Sequence, residues 1–264
     1  MKKFLSIMTM LSLIILWTAC EKSDSVDYKP GEIPGLGDAE GELTGEPYEL
    51  PDGVELTADI TGAAQWSNYF DSAWDYTEVP RLVSMSKKEI PPKTGKPMRA
   101  KTENDIMYVY RGSGYGYVDL LLSLRNTNNR TSTVEFPAGL IFENVEGYCQ
   151  NGVLLKKAVV EIPANTDVKV SLSFYCGNHY RGAAGSYDTY TLGVVTDAAP
   201  LIDLCERVKN KKINIEEYDP TSIDDYYSYS EIKSRLQDIV WHVTDGTGLT
   251  QEDIEYIDSL PGSR

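Results

Sequence analysis

Thiols and imidazoles, which often serve as nucleophiles, bases and metal ligands, are scarce in this chain of 264 residues. It has four cysteines and two histidines, and no group of His, Cys and carboxylate residues has the spacing of a zinc site. We therefore expect no metal ion and no cofactor. Cys149, Cys176 and Cys205 allow at most one disulfide. Cys176 ends an alternating apolar pattern, which favours either a buried thiol or a disulfide between Cys149 and Cys176, whereas Cys205 lies on an apolar helical stripe and is expected in the core.

The fourth cysteine, Cys20, stands at the end of a segment typical of exported proteins. Two lysines are followed by an apolar stretch from Phe4 to Trp17 and then by the small residue Ala19. The stretch is shorter than the ~20 apolar residues that a membrane-spanning helix needs. The sequence therefore predicts that residues 1–19 are a signal peptide.

The segment Trp17-Thr18-Ala19-Cys20 resembles the lipobox of bacterial lipoproteins, in the relaxed form of the Bacteroides group, with Trp17 where Leu, Ile or Val is usual. In that family the cysteine thiol is lipidated, the signal is cut before it, and the new amine is acylated. The resemblance implies that Cys20 carries fatty acyl chains such as palmitate and anchors the protein in the outer membrane. The polar, partly acidic segment 21–27 is similar to the tether that sends some Bacteroides-group lipoproteins to the cell surface, so we expect surface exposure. Several chains anchor firmly, because each buried CH₂ contributes about 0.8 kcal/mol. An ordinary cleaved signal peptide ending near Ala19 is the alternative.

The charge of the chain limits its partners. Forty acidic residues outnumber 25 basic ones, which gives a formal net charge of −15 at pH 7. Nucleic acids and anionic lipid surfaces both attract positive charge, so neither is expected as a partner. We expect contact with the membrane through the lipid anchor.

The middle of the chain alternates between apolar and polar residues. Apolar side chains recur at every second position in 168–176 and, with one interruption, in 118–124. Segments rich in Gly, Pro and Asn separate the alternating runs. Period-two patterning with one apolar face is typical of antiparallel sheets packed on one side. The sequence therefore predicts a mainly β protein in which residues 51–197 form an antiparallel immunoglobulin-like β-sandwich.

The segments on either side of this region have different patterns. Residues 20–50 carry prolines, glycines and acids with little apolar periodicity, so we expect a polar tether. Residues 198–264 are predicted to be a helical tail of two or three helices packed on the sandwich. The first helix is indicated by apolar residues at helical spacing, at Leu201, Leu204, Cys205 and Val208.

A second helix, predicted to begin at Ser230, carries two notable side chains away from its main apolar stripe. At ~100° per residue, Gln237 and Trp241 lie about 140° and about 180° from Ile232. They are neighbours at i, i+4. A tryptophan on this face either packs on a second layer or is exposed for binding.

The stretch Leu236-Gln237-Asp238-Ile239-Val240-Trp241 resembles the glutamine motif of bacterial thioester-domain adhesins. Tyr175-Cys176 is similar to their second motif, an aromatic residue followed by cysteine. In that family the cysteine thiol and the glutamine carbonyl form an internal thioester, which captures amines on host surfaces. The resemblance implies that Cys176 supplies the thiol and Gln237 the acyl group.

The loop that follows Cys176 offers side chains suited to recognition. His179, Tyr180 and Arg181 present an imidazole, a phenol and a guanidinium among glycines and alanines. Loops at the ends of sandwiches commonly carry binding sites. We expect these three residues, with Trp241, to bind a ligand, although a flexible connection with chance polar residues fits the loop equally well.

From these features we expect a non-catalytic role in surface binding or adhesion, with a glycan or a host protein as ligand. Three alternatives stay open. The first is a covalent adhesin that uses Cys176 and Gln237. The second is a glycan-active hydrolase that uses two of the many carboxylates, and the third is an accessory subunit of a surface complex.

Overall fold

The computed structural model describes residues 25–63, 107–114 and 116–263. The predicted signal peptide and Cys20 lie outside these ranges. Strand residues make up 34% and helical residues 23%, so the protein is mainly β. The strands are β1 (Gly45–Pro47), β2 (Val54–Leu56), β3 (Ile60–Gly62), β4 (Met107–Gly112), β5 (Val118–Asn126), β6 (Ser132–Phe136), β7 (Leu140–Asn144), β8 (Gly152–Val153), β9 (Ala158–Ile162), β10 (Thr166–Cys176) and β11 (Thr189–Thr196). The helices are α1 (Ala199–Val208), α2 (Ile223–Thr244) and α3 (Gln251–Ser259), with a single 3-10 turn at Ile215–Glu217.

Six of the strands close into an antiparallel barrel. Their order around the barrel is β5-β3-β11-β7-β8-β10, and pairing of β10 with β5 completes the ring. Three further strands extend it: β2 pairs with β5, β1 with β11, and β4 runs parallel to β10. The strands β6 and β9 form a separate two-stranded ribbon.

The prediction of an immunoglobulin-like sandwich is therefore wrong. Alternation in the sequence specifies which face of a strand is apolar, but it does not specify which edges pair. Here β10 is paired on both edges, with β5 on one side and with β4 and β8 on the other, so the sheet curls round and closes. The alternating positions of β10 face the barrel interior, as predicted, at Val168, Val170, Leu172, Phe174 and Cys176.

The helices pack against the outside of the barrel. Tyr175 lies on the outer side of β10 and belongs to a second buried cluster, which it shares with Leu236, Ile239 and Val240 of α2. Helix α2 begins at Ile223, before the predicted start at Ser230, because the Ser222 side chain caps it by accepting a hydrogen bond from the backbone N–H of Asp225.

The described part of the predicted tether, residues 25–50, packs against this fold. Val26 forms a β-bridge with Ala198, and β1 pairs with β11. Ile33 and Leu36 are buried in the cluster between the helices and the barrel. This segment therefore contributes apolar side chains to the core.

Among the described helices, none combines the length and the hydropathy that crossing a membrane requires.

Candidate functional site

Cys176 is the last residue of β10, and its side chain is fully buried at one end of the barrel. It belongs to the interior cluster with Phe174 and Tyr190. Burial raises the pKa of the Cys176 thiol well above its ordinary value, and the nearby Asp119 carboxylate raises it further. At neutral pH the thiol is therefore protonated and shielded from bulk water.

Gln237, in the second half of α2, lies against Cys176. Its side chain is 1% exposed. The Gln237 Oε1 atom accepts a hydrogen bond of 2.8 Å from the backbone N–H of Cys176, and Gln237 Nε2 donates one of 3.0 Å to the Cys176 carbonyl oxygen. The sequence motifs thus identified two residues that the fold brings into direct contact.

The end of strand β5 explains why the Gln237 side chain, and not a neighbouring strand, pairs with the backbone of Cys176. Successive residues of a strand direct their backbone polar groups to opposite edges. Gly177 donates to Asn151 on the β8 side, so the polar groups of Cys176 point to the β5 side. The last residue pair of β5 and β10 joins Val118 to Phe174, and beyond it that edge of β10 has no strand partner. The Gln237 carboxamide supplies the missing donor and acceptor.

The loop after Cys176 is held by buried asparagines. Asn178 Oδ1 accepts from the backbone N–H of Asn151 at 3.0 Å, while Asn178 Nδ2 donates to the carbonyl oxygens of Gly35 and Gly37 at 3.1 and 3.0 Å. Gly37 N–H in turn donates to the Gly177 carbonyl oxygen at 2.8 Å. Each of these buried groups is paired, so the start of the loop is fixed to the N-terminal segment.

Gly37 makes a close approach that only glycine allows. Its φ is +56°, and a Cβ atom there would lie 2.2 Å from the backbone oxygen of Thr244 at the end of α2. Residues 35–37 therefore lie between the loop after Cys176 and the end of α2, the helix that carries Gln237, and contact both.

Three of the four predicted ligand-binding residues come together beside the pair. The rings of His179 and Trp241 lie 4.3 Å apart between centroids, and those of His179 and Tyr180 lie 4.7 Å apart. Trp241 packs on the cluster that contains Cys176, and its Nε1 atom is buried with no hydrogen-bond acceptor among the described residues. Arg181, the fourth, follows in the same loop and is partly exposed.

The surface around this end of the barrel is rich in exposed tyrosine. We call the segments 116–117, 144–151 and 177–189 the rim. Backbone hydrogen bonds connect these segments; for example, Gly182 N–H donates to the Tyr148 carbonyl oxygen. Nine large hydrophobic side chains are exposed in the described part of the chain, and five belong to the rim: Tyr117, Val145, Tyr148, Tyr180 and Tyr187. Tyr148, Tyr180 and Tyr187 are the most exposed, at 81%, 77% and 96%.

Sequence reasoning found Tyr180 but missed the other exposed tyrosines of the rim, Tyr117, Tyr148 and Tyr187. Their signal was weak: tyrosines beside Gly or Ser in turns, in segments far apart along the chain. Asp119 was also missed. Burial raises the pKa of its carboxyl, and its Oδ1 atom has no partner among the described residues.

The cysteines of the described residues, Cys149, Cys176 and Cys205, are all free and buried. The structure therefore lacks the disulfide that the sequence allows between Cys149 and Cys176. Burial, with the neighbouring Asp188, raises the pKa of the Cys149 thiol to about 11. Within the described ranges, no three His, Cys, Asp or Glu side chains are grouped so that they could hold a metal ion.

Comparison of the chain with protein-family models, with curated proteins and with solved structures gives no match.

Proposed function

We propose that this is a lipid-anchored surface protein that captures amine-bearing ligands covalently, through a thioester between Cys176 and Gln237. The observation that carries the proposal is the pair of hydrogen bonds that hold the Gln237 carboxamide against the Cys176 backbone. The anchor at Cys20 and the outer-membrane location are supported by the lipobox resemblance.

The contact suits formation of the bond. The Cys176 sulfur attacks the side-chain carbonyl carbon of Gln237, and negative charge develops on Oε1. That oxygen already accepts the backbone N–H of Cys176, so the donor stabilises the charge without rearrangement. The carbon–nitrogen bond breaks, the thiol proton passes to the departing nitrogen, and one ammonia is released.

The same carbon then reacts with the ligand. A primary amine attacks the thioester, an amide joins the ligand to the Gln237 side chain, and the sulfur leaves. The proton lost by the amine returns the sulfur to a thiol, so no oxidant or reductant is needed. Burial of both residues excludes water, which would otherwise hydrolyse the thioester before a ligand arrives.

Reversible binding without a covalent step is the second candidate, and the exposed tyrosines of the rim favour it. Tyrosine supplies a large contact area with a polar tip, and exposed aromatic groups cluster at binding surfaces. A glycan or a host protein is the proposed ligand. Full adhesion by a Cys176→Ser variant, with loss of adhesion in Tyr148→Ser, would favour this candidate over the covalent one.

The hydrolase and accessory-subunit alternatives stay predictions from the sequence. The described residues offer no feature that favours either of them.

Methylamine tests the proposal. A soluble form that begins at residue 21 is treated with methylamine, and its thiols are counted after denaturation. We expect one additional thiol, located at Cys176, and an N-methyl group on the Gln237 amide.

Cys176→Ser is the inactive comparison and should gain neither modification. Cys205→Ser, which removes a buried thiol from α1, is the matched control and should react like the wild type. An unchanged thiol count and an unmodified Gln237 in the wild type would refute the thioester.

A further inference from the structure

Trp241 lies one helical turn beyond Gln237, on the same side of α2. It packs on the barrel cluster that includes Cys176. Its indole ring therefore lies on the face of α2 that carries Gln237, one turn from the residue that an amine attacks in the proposed reaction.

The indole Nε1–H is a buried donor for which the described residues provide no acceptor. Buried donors in folded proteins are nearly always paired, so this one requires a partner, and a ligand at the proposed site can supply it. A hydrogen-bond acceptor on the incoming molecule, close to its amine, would pair with this atom.

His179 holds the indole in place. Its ring lies 4.3 Å from the Trp241 ring between centroids, and its backbone lies near the Asp245 carboxylate at the end of α2. The preceding residue, Asn178, is fixed by hydrogen bonds to the N-terminal segment. The tilted imidazole ring is therefore carried by a backbone that Asn178 fixes to the N-terminal segment.

We propose that Trp241 determines which amines the site accepts, by donating its indole N–H to an oxygen atom that the ligand carries near its amine. The inference rests on the proposed thioester and specifies its substrate class: primary amines with a neighbouring hydroxyl or carbonyl oxygen. His179 is a positioning residue that fixes the orientation of the indole.

Two amines of similar size test the inference. Ethanolamine carries an oxygen near its amine, whereas propylamine has a methyl group at the same place. Adduct formation with each is timed by intact mass for the wild type, Trp241→Phe and His179→Ala. Tyr227→Phe, at an exposed position on α2, is the control. Because the two amines differ in basicity, the informative quantity is the ethanolamine-to-propylamine rate ratio of each variant relative to the wild type.

Trp241→Phe keeps a ring but removes the donor, so we expect the ratio to fall about 5- to 10-fold, as loss of one hydrogen bond predicts, with little change for propylamine. His179→Ala should lower the ratio by a smaller factor, and Tyr227→Phe should leave it unchanged. An unchanged ratio in Trp241→Phe would overturn the role of Trp241 while leaving the thioester intact. Absence of any adduct in the wild type would remove the proposed function itself.

A nuclear magnetic resonance measurement on the wild type avoids dependence on a variant that fails to fold. The Trp241 Nε1–H resonance should move downfield in the ethanolamine adduct relative to the propylamine adduct. Identical positions in the two adducts would also contradict the inference.

Discussion

At the scale of single residues, the site holds the Gln237 carboxamide on the backbone of a cysteine whose thiol is buried. Burial raises the pKa of Cys176, so the thiol resists oxidation and alkylation at neutral pH. The same burial slows attack on Gln237, because the thiolate is the nucleophile. The hydrogen bond from Cys176 N–H to Oε1 compensates in part by stabilising the charge that the attack creates.

The raised pKa of Cys176 predicts how bond formation depends on pH. A pH between 6 and 9 is below the raised pKa of the Cys176 thiol in the folded protein. The thiolate fraction therefore rises about tenfold for each pH unit in this range. The rate of ammonia loss after refolding should rise with it, as followed by intact mass. A rate that stays flat over this range would show that the thiolate is not the attacking species.

At the scale of elements, the 3-10 turn at Ile215–Glu217 attaches the helical region to β4. Glu216 Oε2 accepts the backbone N–H of Gly112 at 3.0 Å, and Asn214 Nδ2 donates to Glu216 Oε1 at 3.3 Å. Burial raises the pKa of Glu216 to about 7, although Arg111 lowers it in part. In the folded protein the protonated form of Glu216 is therefore favoured below about pH 7.

The consequence is a loss of stability as pH rises. Between pH 4.5 and about 7 the folded protein keeps a proton on Glu216 that the unfolded chain has lost, so the free energy of unfolding falls across this range. Glu216→Gln keeps a neutral acceptor and should escape this fall. The free energy of unfolding is measured by urea denaturation for both proteins. The value for Glu216→Gln minus the value for the wild type should increase by about 1–3 kcal/mol from pH 5 to pH 8.

Glu231→Gln changes an exposed carboxylate on α2 and should follow the wild type at every pH. A constant difference between Glu216→Gln and the wild type across the pH range would contradict the assignment to Glu216.

The elements also show how far sequence reasoning reached. The alternation of strand β10 was predictable, because it is a local signal. The Cys176–Gln237 contact joins residues 61 positions apart and was indicated only by the resemblance of two short motifs to those of thioester-domain adhesins. The closed barrel was not, since pairing of β10 on both edges depends on residues far apart in the chain. The segment 213–229 is rich in acidic residues, yet it supplies Tyr218 and Tyr229 to the buried cluster. Its acidic residues concealed this apolar contribution.

At the scale of the whole molecule, the proposed anchor and the proposed site are connected through the N-terminal segment. Residues 35–37 lie between the loop after Cys176 and the end of α2, and the same segment leads back toward Cys20. The rim presents its tyrosines at the end of the barrel where Cys176 lies, so a ligand of the proposed site would meet them first. Reversible contact at the rim would thus precede covalent capture.

The central claim is that a covalent bond joins Cys176 to Gln237, and the intact mass of the freshly purified, untreated protein tests it most directly. The wild type that begins at residue 21 should be lighter than its sequence mass by one ammonia, whereas Cys176→Ala should have its full sequence mass. Fragmentation should locate the deficit in a cross-link between residues 176 and 237. A wild-type protein of full sequence mass, with Gln237 unmodified, would contradict the account.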